Sequence, residues 1–161
     1  MNVTTVEDIS NKIIIEFAKT IEMFGMAPLE ARLFVYLYLK NKPQTLDEMG
    51  AALGKSKTSM STSIRSLSGA NLVTRVWRKG VRKDLYEANH QIFKTFMNNY
   101  INKWLDASAH QMDALETIQQ ELHEHPNRKT SDLNELSDYL NQMIDFHIQL
   151  RESFRQLNVD D

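Results

Sequence analysis

The sequence predicts a mainly α protein carrying one small β hairpin, and three observations lead there. Apolar residues recur three or four apart through most of the 161 residues, the spacing of helix faces buried on one side. Only five Gly and three Pro are available to turn the chain, so the regular elements should be long. Strand-type composition is confined to residues 72–78 and 83–88, on either side of Lys79-Gly80-Val81-Arg82, which reads as two short strands and their turn.

Taken in order, Val6, Ile9, Ile13, Phe17, Ile21 and Phe24 predict a helix over residues 5–25, with Thr4 and Glu7 as its capping box and Gly25 at its end. Residues 29–41 are dense in Leu, Phe, Val and Tyr between Pro28 and Pro43, as a helix buried in mid-domain would be. Thr45-Leu46-Asp47-Glu48 is a capping box with acids in the first turn, so a third helix starts there, turns Leu46, Met49 and Leu53 inward and stops at Gly54. Ser56 is the expected N-cap of a fourth helix reaching about Ser68. After the hairpin, a long helix is expected from Gln91 to about Glu124, broken by His125-Pro126-Asn127, and a last one over residues 131–157. These elements divide the chain into a first domain, residues 1–90, whose N-terminal helix 5–25 is free to join an interface, and a helical region, residues 91–161.

Absences narrow the function. Without cysteine, disulfides, thiolate metal sites and thiol redox chemistry are excluded. No phosphate-cradling Gly loop and no metal-spaced His/acid cluster is present, so neither an enzyme nor a cofactor or metal is expected; His123 and His125, two apart beside a break, read as surface residues. No apolar run is long enough to span a bilayer, and the N-terminus lacks the basic and apolar parts of a signal peptide, so a cytoplasmic location is expected.

Charge is unevenly distributed. Between Ala51 and Asp84 stand Lys55, Lys57, Arg65, Arg75, Arg78, Lys79, Arg82 and Lys83 against Asp84 alone, about +7, while the rest, with 11 Lys/Arg and 20 Asp/Glu, is −9. A surface made for a polyanion is implied, and helix, turn, helix and basic hairpin in succession are the plan of a winged helix–turn–helix, whose polyanion is duplex DNA. In the fourth helix, Met60, Ile64 and Leu67 share one side and Thr58, Thr62 and Arg65 the other, flanked by Ser59, Ser61 and Ser66. Eight of the thirteen residues 56–68 are Ser or Thr, indifferent helix formers whose short hydroxyls allow close approach to DNA. Lys55, Ser56 and Lys57 at the helix start are candidates for phosphate, and Arg65 for a guanine edge. Arg75, Arg78, Lys79, Arg82 and Lys83 form a wing able to lie on the backbone or enter a minor groove.

Gly25-Met26-Ala27-Pro28-Leu29-Glu30-Ala31-Arg32, Thr45 to Met49, Leu53-Gly54-Lys55-Ser56-Lys57, Leu72-Val73-Thr74-Arg75-Val76-Trp77 and the wing Lys79-Gly80-Val81-Arg82-Lys83-Asp84 together resemble the GbsR-type branch of the MarR superfamily. The resemblance covers about residues 25–90 and implies a homodimeric repressor gated by a small ligand; some members sense choline and related osmoprotectants and control genes for their uptake or conversion to glycine betaine.

A palindromic operator needs a two-fold protein. Leu133, Leu136, Leu140, Met143, His147, Leu150, Phe154 and Leu157 recur at alternating steps of three and four, a heptad seam expected at the dimer interface, with an intrachain hairpin of the last two helices as the alternative and both compatible. In that seam His147 is read as a core imidazole hydrogen-bonded across the interface. A quaternary ammonium effector such as choline or glycine betaine would need aromatic faces; Phe93, Phe96, Tyr100 and Trp104 are the candidates, with Tyr36, Tyr38 and Tyr86 nearby, although an aromatic stripe at helical spacing is more often core.

Overall fold

A computed structural model describes residues 3–157. The element order is α1 (Val6–Glu22), α2 (Pro28–Lys40), α3 (Leu46–Leu53), α4 (Lys57–Gly69), β1 (Val73–Val76), β2 (Leu85–Ala88), α5 (Ile92–Glu124) and α6 (Ser131–Gln156). Residues up to Phe96 form one compact unit and those from Met97 another.

The first unit is built around α2. Ala31, Leu33, Phe34, Val35 and Leu37 are all but sealed from solvent, which is why nearly every position of this helix is apolar. Around it close Ala18 and Ile21 of α1, Met49 of α3, Met60, Ile64 and Leu67 of α4, Leu72, Val73 and Ala88 of the hairpin, and Phe96 from the first turns of α5. Phe96 meets Phe34 edge-on at 5.3 Å and Phe24 at 5.4 Å between ring centroids, so the first unit extends into α5, past residue 90.

Local chemistry sets the boundaries. The capping box of α1 sits one residue later than expected: the Thr5 hydroxyl accepts from Asp8 N at 3.1 Å. In return the Asp8 carboxylate accepts from Thr5 N at 2.9 Å and from the Thr5 hydroxyl at 2.8 Å, and these two bonds hold it below the usual carboxylate range. Thr45 and Glu48 cap α3 as the sequence predicts, and Ser56 caps α4 by accepting from Ser59 N.

The hairpin is shorter than its composition. Pairing runs only from Val73↔Ala88 to Val76↔Leu85; beyond it the predicted strand residues Trp77, Arg78, Lys83 and Asp84 are exposed and outside the ladder. Gly80, at φ 81°, supplies the left-handed position of a turn in which Val81 N donates to Arg78 O at 3.2 Å. At its other end the hairpin is pinned to the α2–α3 connection: Gln44 and Tyr86 exchange backbone hydrogen bonds at 2.8 and 2.9 Å, and Tyr36 donates its hydroxyl to the Gln44 side chain at 3.0 Å. Tyr36 and Tyr38 belong to this unit's packing, Tyr38 against the His90 ring at 4.7 Å.

In the second unit α5 and α6 run antiparallel. Trp104 stacks on Phe154 at 5.5 Å, Ser108 lies 3.0 Å from His147, and Gln119 donates to Asn141 at 2.6 Å. The buried face of α6 is centred on Leu140 and Ile144, with Leu133, Ser137, His147, Leu150 and Phe154 half-buried. The predicted seam therefore splits: Leu136, Met143 and Leu157, more than half exposed, belong to an adjacent face, because the helix packs on its own neighbour through a stripe rotated toward Ile144.

Candidate nucleic-acid interface

The close pairing of α3 and α4 rests on two glycines. Gly54 ends α3 in the left-handed conformation at φ 65°, the position that favours glycine at a helix C-terminus. Gly50 lies where a Cβ would stand 2.7 Å from the Lys55 carbonyl oxygen, a backbone atom that cannot swing aside, and Lys55 N donates to Gly50 O at 3.0 Å. Sequence reading passed over Gly50 because a glycine inside a helix ordinarily signals only weakness; its flanking capping box and Gly54 were the available signal.

On α4 the buried side is Met60, Ile64 and Leu67, together with Ser63. Thr58, Thr62, Arg65 and Ser66 are exposed on the other, and Ser59 and Ser61 are half-buried at its flanks. Part of the hydroxyl content has a structural use. Ser56 donates to the Ser59 hydroxyl at 3.0 Å while accepting from its amide, and Thr62 donates back to the Thr58 carbonyl at 3.1 Å, a local bond common to Thr in helices. Thr62 thus keeps an acceptor lone pair and its methyl group for an outside partner, and Arg65 is the one charged side chain on that face.

Two basic residues of the segment are already engaged. Arg75 is ion-paired with Asp84 across the hairpin. Lys83 meets Asp47, in the first turn of α3, at 2.8 Å; its hydrogen bond, and then the charge of Lys57, hold the Asp47 carboxyl below the usual range, while the same bond pushes the Lys83 ammonium up. Both side chains lie at the surface, so the pair contributes little to stability, yet it ties the wing's returning arm to the helix that supports α4. Lys55, Lys57, Arg65, Arg78, Lys79 and Arg82 have no ion pair among the described residues and are exposed, a positive surface spread along α4 and over the wing tip.

The four aromatic candidates are divided between the two units. Phe96 is core, 5% exposed, with its ring packed against Phe24 and Phe34. Phe93 is exposed. Tyr100 and Trp104 cluster in the second unit with Phe154, which sequence reading had placed in the seam; Trp104 and Phe154 stack at 14° between ring planes. One face of Trp104 is thereby covered, and its 42% exposure leaves the rest of the indole accessible. His147 places its Nδ1 3.0 Å from the buried Ser108 hydroxyl of the same chain. In the first unit, a groove of about 780 Å³ runs between α1, α2 and α3, with Arg32 and Lys40 against the single acid Glu7, a charge balance unsuited to a quaternary ammonium. Among the described residues no three His, Asp or Glu side chains gather as metal ligands, and no helix is long and apolar enough to cross a membrane.

A helix–turn–helix with a pinned, basic wing defines a class of protein, the winged-helix transcriptional regulators. Comparison with known proteins places the chain within it. It is 30% identical over 92% of its length to the HTH-type transcriptional repressor GbsR of Bacillus subtilis, the alignment covering 79% of that protein. It is also 35% identical over 62% of its length to the repressor OpcR, and 37% identical over 63% to the regulator YvaV, both from the same organism. The chain spans about half the length of these last two relatives, 54% and 57%. A crystal structure described as a transcriptional regulator superposes over 92% of this chain and 99% of its own at a TM-score of 0.56 with 20% identity, a likeness of fold. No model of a known protein family matches the chain. The chain belongs to the GbsR-type family of HTH-type transcriptional regulators, a family of regulators rather than enzymes.

Proposed function

We propose that the protein is a cytoplasmic homodimeric repressor that binds a palindromic operator in duplex DNA and releases it when a small quaternary ammonium compound, choline or glycine betaine, binds; its genes would serve osmoprotectant uptake or synthesis. The observation that carries the DNA reading is the unpaired positive surface of Lys55, Lys57, Arg65, Arg78, Lys79 and Arg82 beside the exposed Thr58 and Thr62. In this reading Lys55, Ser56, Lys57 and Ser59 hold phosphate near the helix start, Thr58, Ser61, Thr62 and Arg65 read base edges, and the wing residues Arg78, Lys79 and Arg82 track the backbone, with Arg75 and Lys83 positioning the wing.

Dimerisation is supported by apolar surface that the single chain leaves uncovered. Leu136, Tyr139, Met143 and Phe146 form one exposed stripe on α6, and Val6, Ile9, Ile13 and Phe17 another on α1. Exposed apolar surface of this extent marks interaction sites. The seam residues Leu133, Leu140, His147, Leu150 and Phe154 contribute from behind by fixing the α5–α6 pair that presents the stripe. For the effector, the cluster of Tyr100, Trp104 and Phe154 offers aromatic surface of the kind that attracts a quaternary ammonium.

The experiment is to select a duplex from a random pool with the full chain and then titrate choline and glycine betaine against the complex. The expected result is release at millimolar effector with a change in Trp104 emission; a complex indifferent to both compounds contradicts the osmoprotectant reading while leaving DNA binding in place.

A further inference from the structure

Trp77 stands one residue beyond β1 and is 82% exposed. Around it in sequence are Arg75, Arg78, Lys79, Arg82 and Lys83, and the other sizeable apolar side chain of the wing, Val81, is 39% exposed. An indole is the largest apolar side chain a protein can leave in water, and it is stiff, with two side-chain torsions to fix on binding. No ring packs against it among the described residues. Hairpin stability gives no reason for it either, since the ladder ends at Val76.

Resting on the DNA-binding reading, we propose that Trp77 is a DNA-contacting residue of the wing, its indole face laid against the deoxyribose wall of the groove that the wing enters and its N–H directed to a phosphate oxygen. Charge selects this occupant. The cations flanking Trp77 favour a polyanion and disfavour a second copy of the same basic wing. An aromatic ring set among cations is the combination by which proteins grip nucleic acid, with the ring taking the apolar sugar or base surface and the cations the phosphates. Indole is a donor only, which suits a phosphate. The contact adds affinity without releasing a counterion, and that separates it from every Lys or Arg nearby.

Trp77→Ala and Trp77→Phe are compared with the unaltered full chain on a duplex selected by that chain, over a range of KCl. Trp77→Ala is expected to bind about tenfold more weakly, within the range that stacked aromatic contacts give, with an unchanged log–log salt slope and an unchanged thermal midpoint; Trp77→Phe retains most of the affinity. The emission difference between the unaltered chain and Trp77→Phe isolates Trp77, and it should become shielded from acrylamide when DNA is added. Binding of Trp77→Ala within twofold of the unaltered chain overturns the proposal. So does a salt slope reduced by about 0.9 for each wing, which would mean that the substitution acts by displacing cations. Equal quenching with and without DNA, or shielding that rises with protein concentration before DNA is added, also overturns it, the latter in favour of self-association. An unaltered chain that selects no duplex overturns both this inference and the reading beneath it.

Discussion

Met143→Glu combined with Phe146→Glu is expected to yield a folded monomer that has lost at least a hundredfold in affinity for a two-half-site duplex. Both side chains are more than half exposed in the single chain, so two carboxylates there cost the monomer little. In the proposed dimer they would face apolar surface, where unpaired charge is strongly unfavourable. The loss on DNA follows because a dimer binds its second half-site intramolecularly, at an effective concentration of about millimolar, and a monomer forgoes that gain. Sedimentation checks the mass, circular dichroism the helix content and anisotropy the affinity. A variant that remains dimeric would move the interface away from this stripe of α6, leaving α1 as the face to test.

The second large effect is expected at Arg65. Arg65→Ala should cost about 1–3 kcal/mol on the selected duplex, the worth of one good base-edge contact, and little on a random duplex. Lys57→Ala should weaken both alike, as a phosphate contact does. Arg65 is the exposed cation in the middle of α4, on the face of Thr62 and away from the side that buries Met60, Ile64 and Leu67, so truncating it removes reach into a groove without disturbing the core. Equal losses on both duplexes would reassign Arg65 to the backbone.

Much of the DNA-binding unit was legible in the sequence because local rules and tertiary packing agree there. Thr45 with Glu48, Gly54 and Ser56 mark helix ends by chemistry that needs no distant partner, and Met60, Ile64 and Leu67 bury the side that their spacing dictates. Misreadings arose where a partner decides. Thr4 and Glu7 fit the same capping pattern as Thr5 and Asp8, and one residue separates the two registers. Phe96 and Tyr100 are four apart on one helix, yet the former is claimed by Phe24 and Phe34 and the latter clusters with Trp104 and Phe154; periodicity cannot tell which ring meets which core. The heptad seam carries a related ambiguity. A regular step of three and four residues predicts that α6 has a partner, but the rotation that buries Ile144 and exposes Met143 depends on what α5 presents, including the Ser108 that hydrogen-bonds His147. The ion pairs Arg75–Asp84 and Lys83–Asp47 were hidden for the same reason, since the second joins residues 36 apart.

The central claim is that the unpaired cations of α4 and the wing grip DNA phosphates. It is tested most directly by the salt dependence of binding for a chain carrying Lys57→Ala, Arg78→Ala and Arg82→Ala together. If each residue neutralises one phosphate in each half of a dimer, the log–log slope should shrink in magnitude by about 5, with the helix content unchanged. A slope equal to that of the unaltered chain would contradict the account, because the positive surface would then be doing something other than holding DNA.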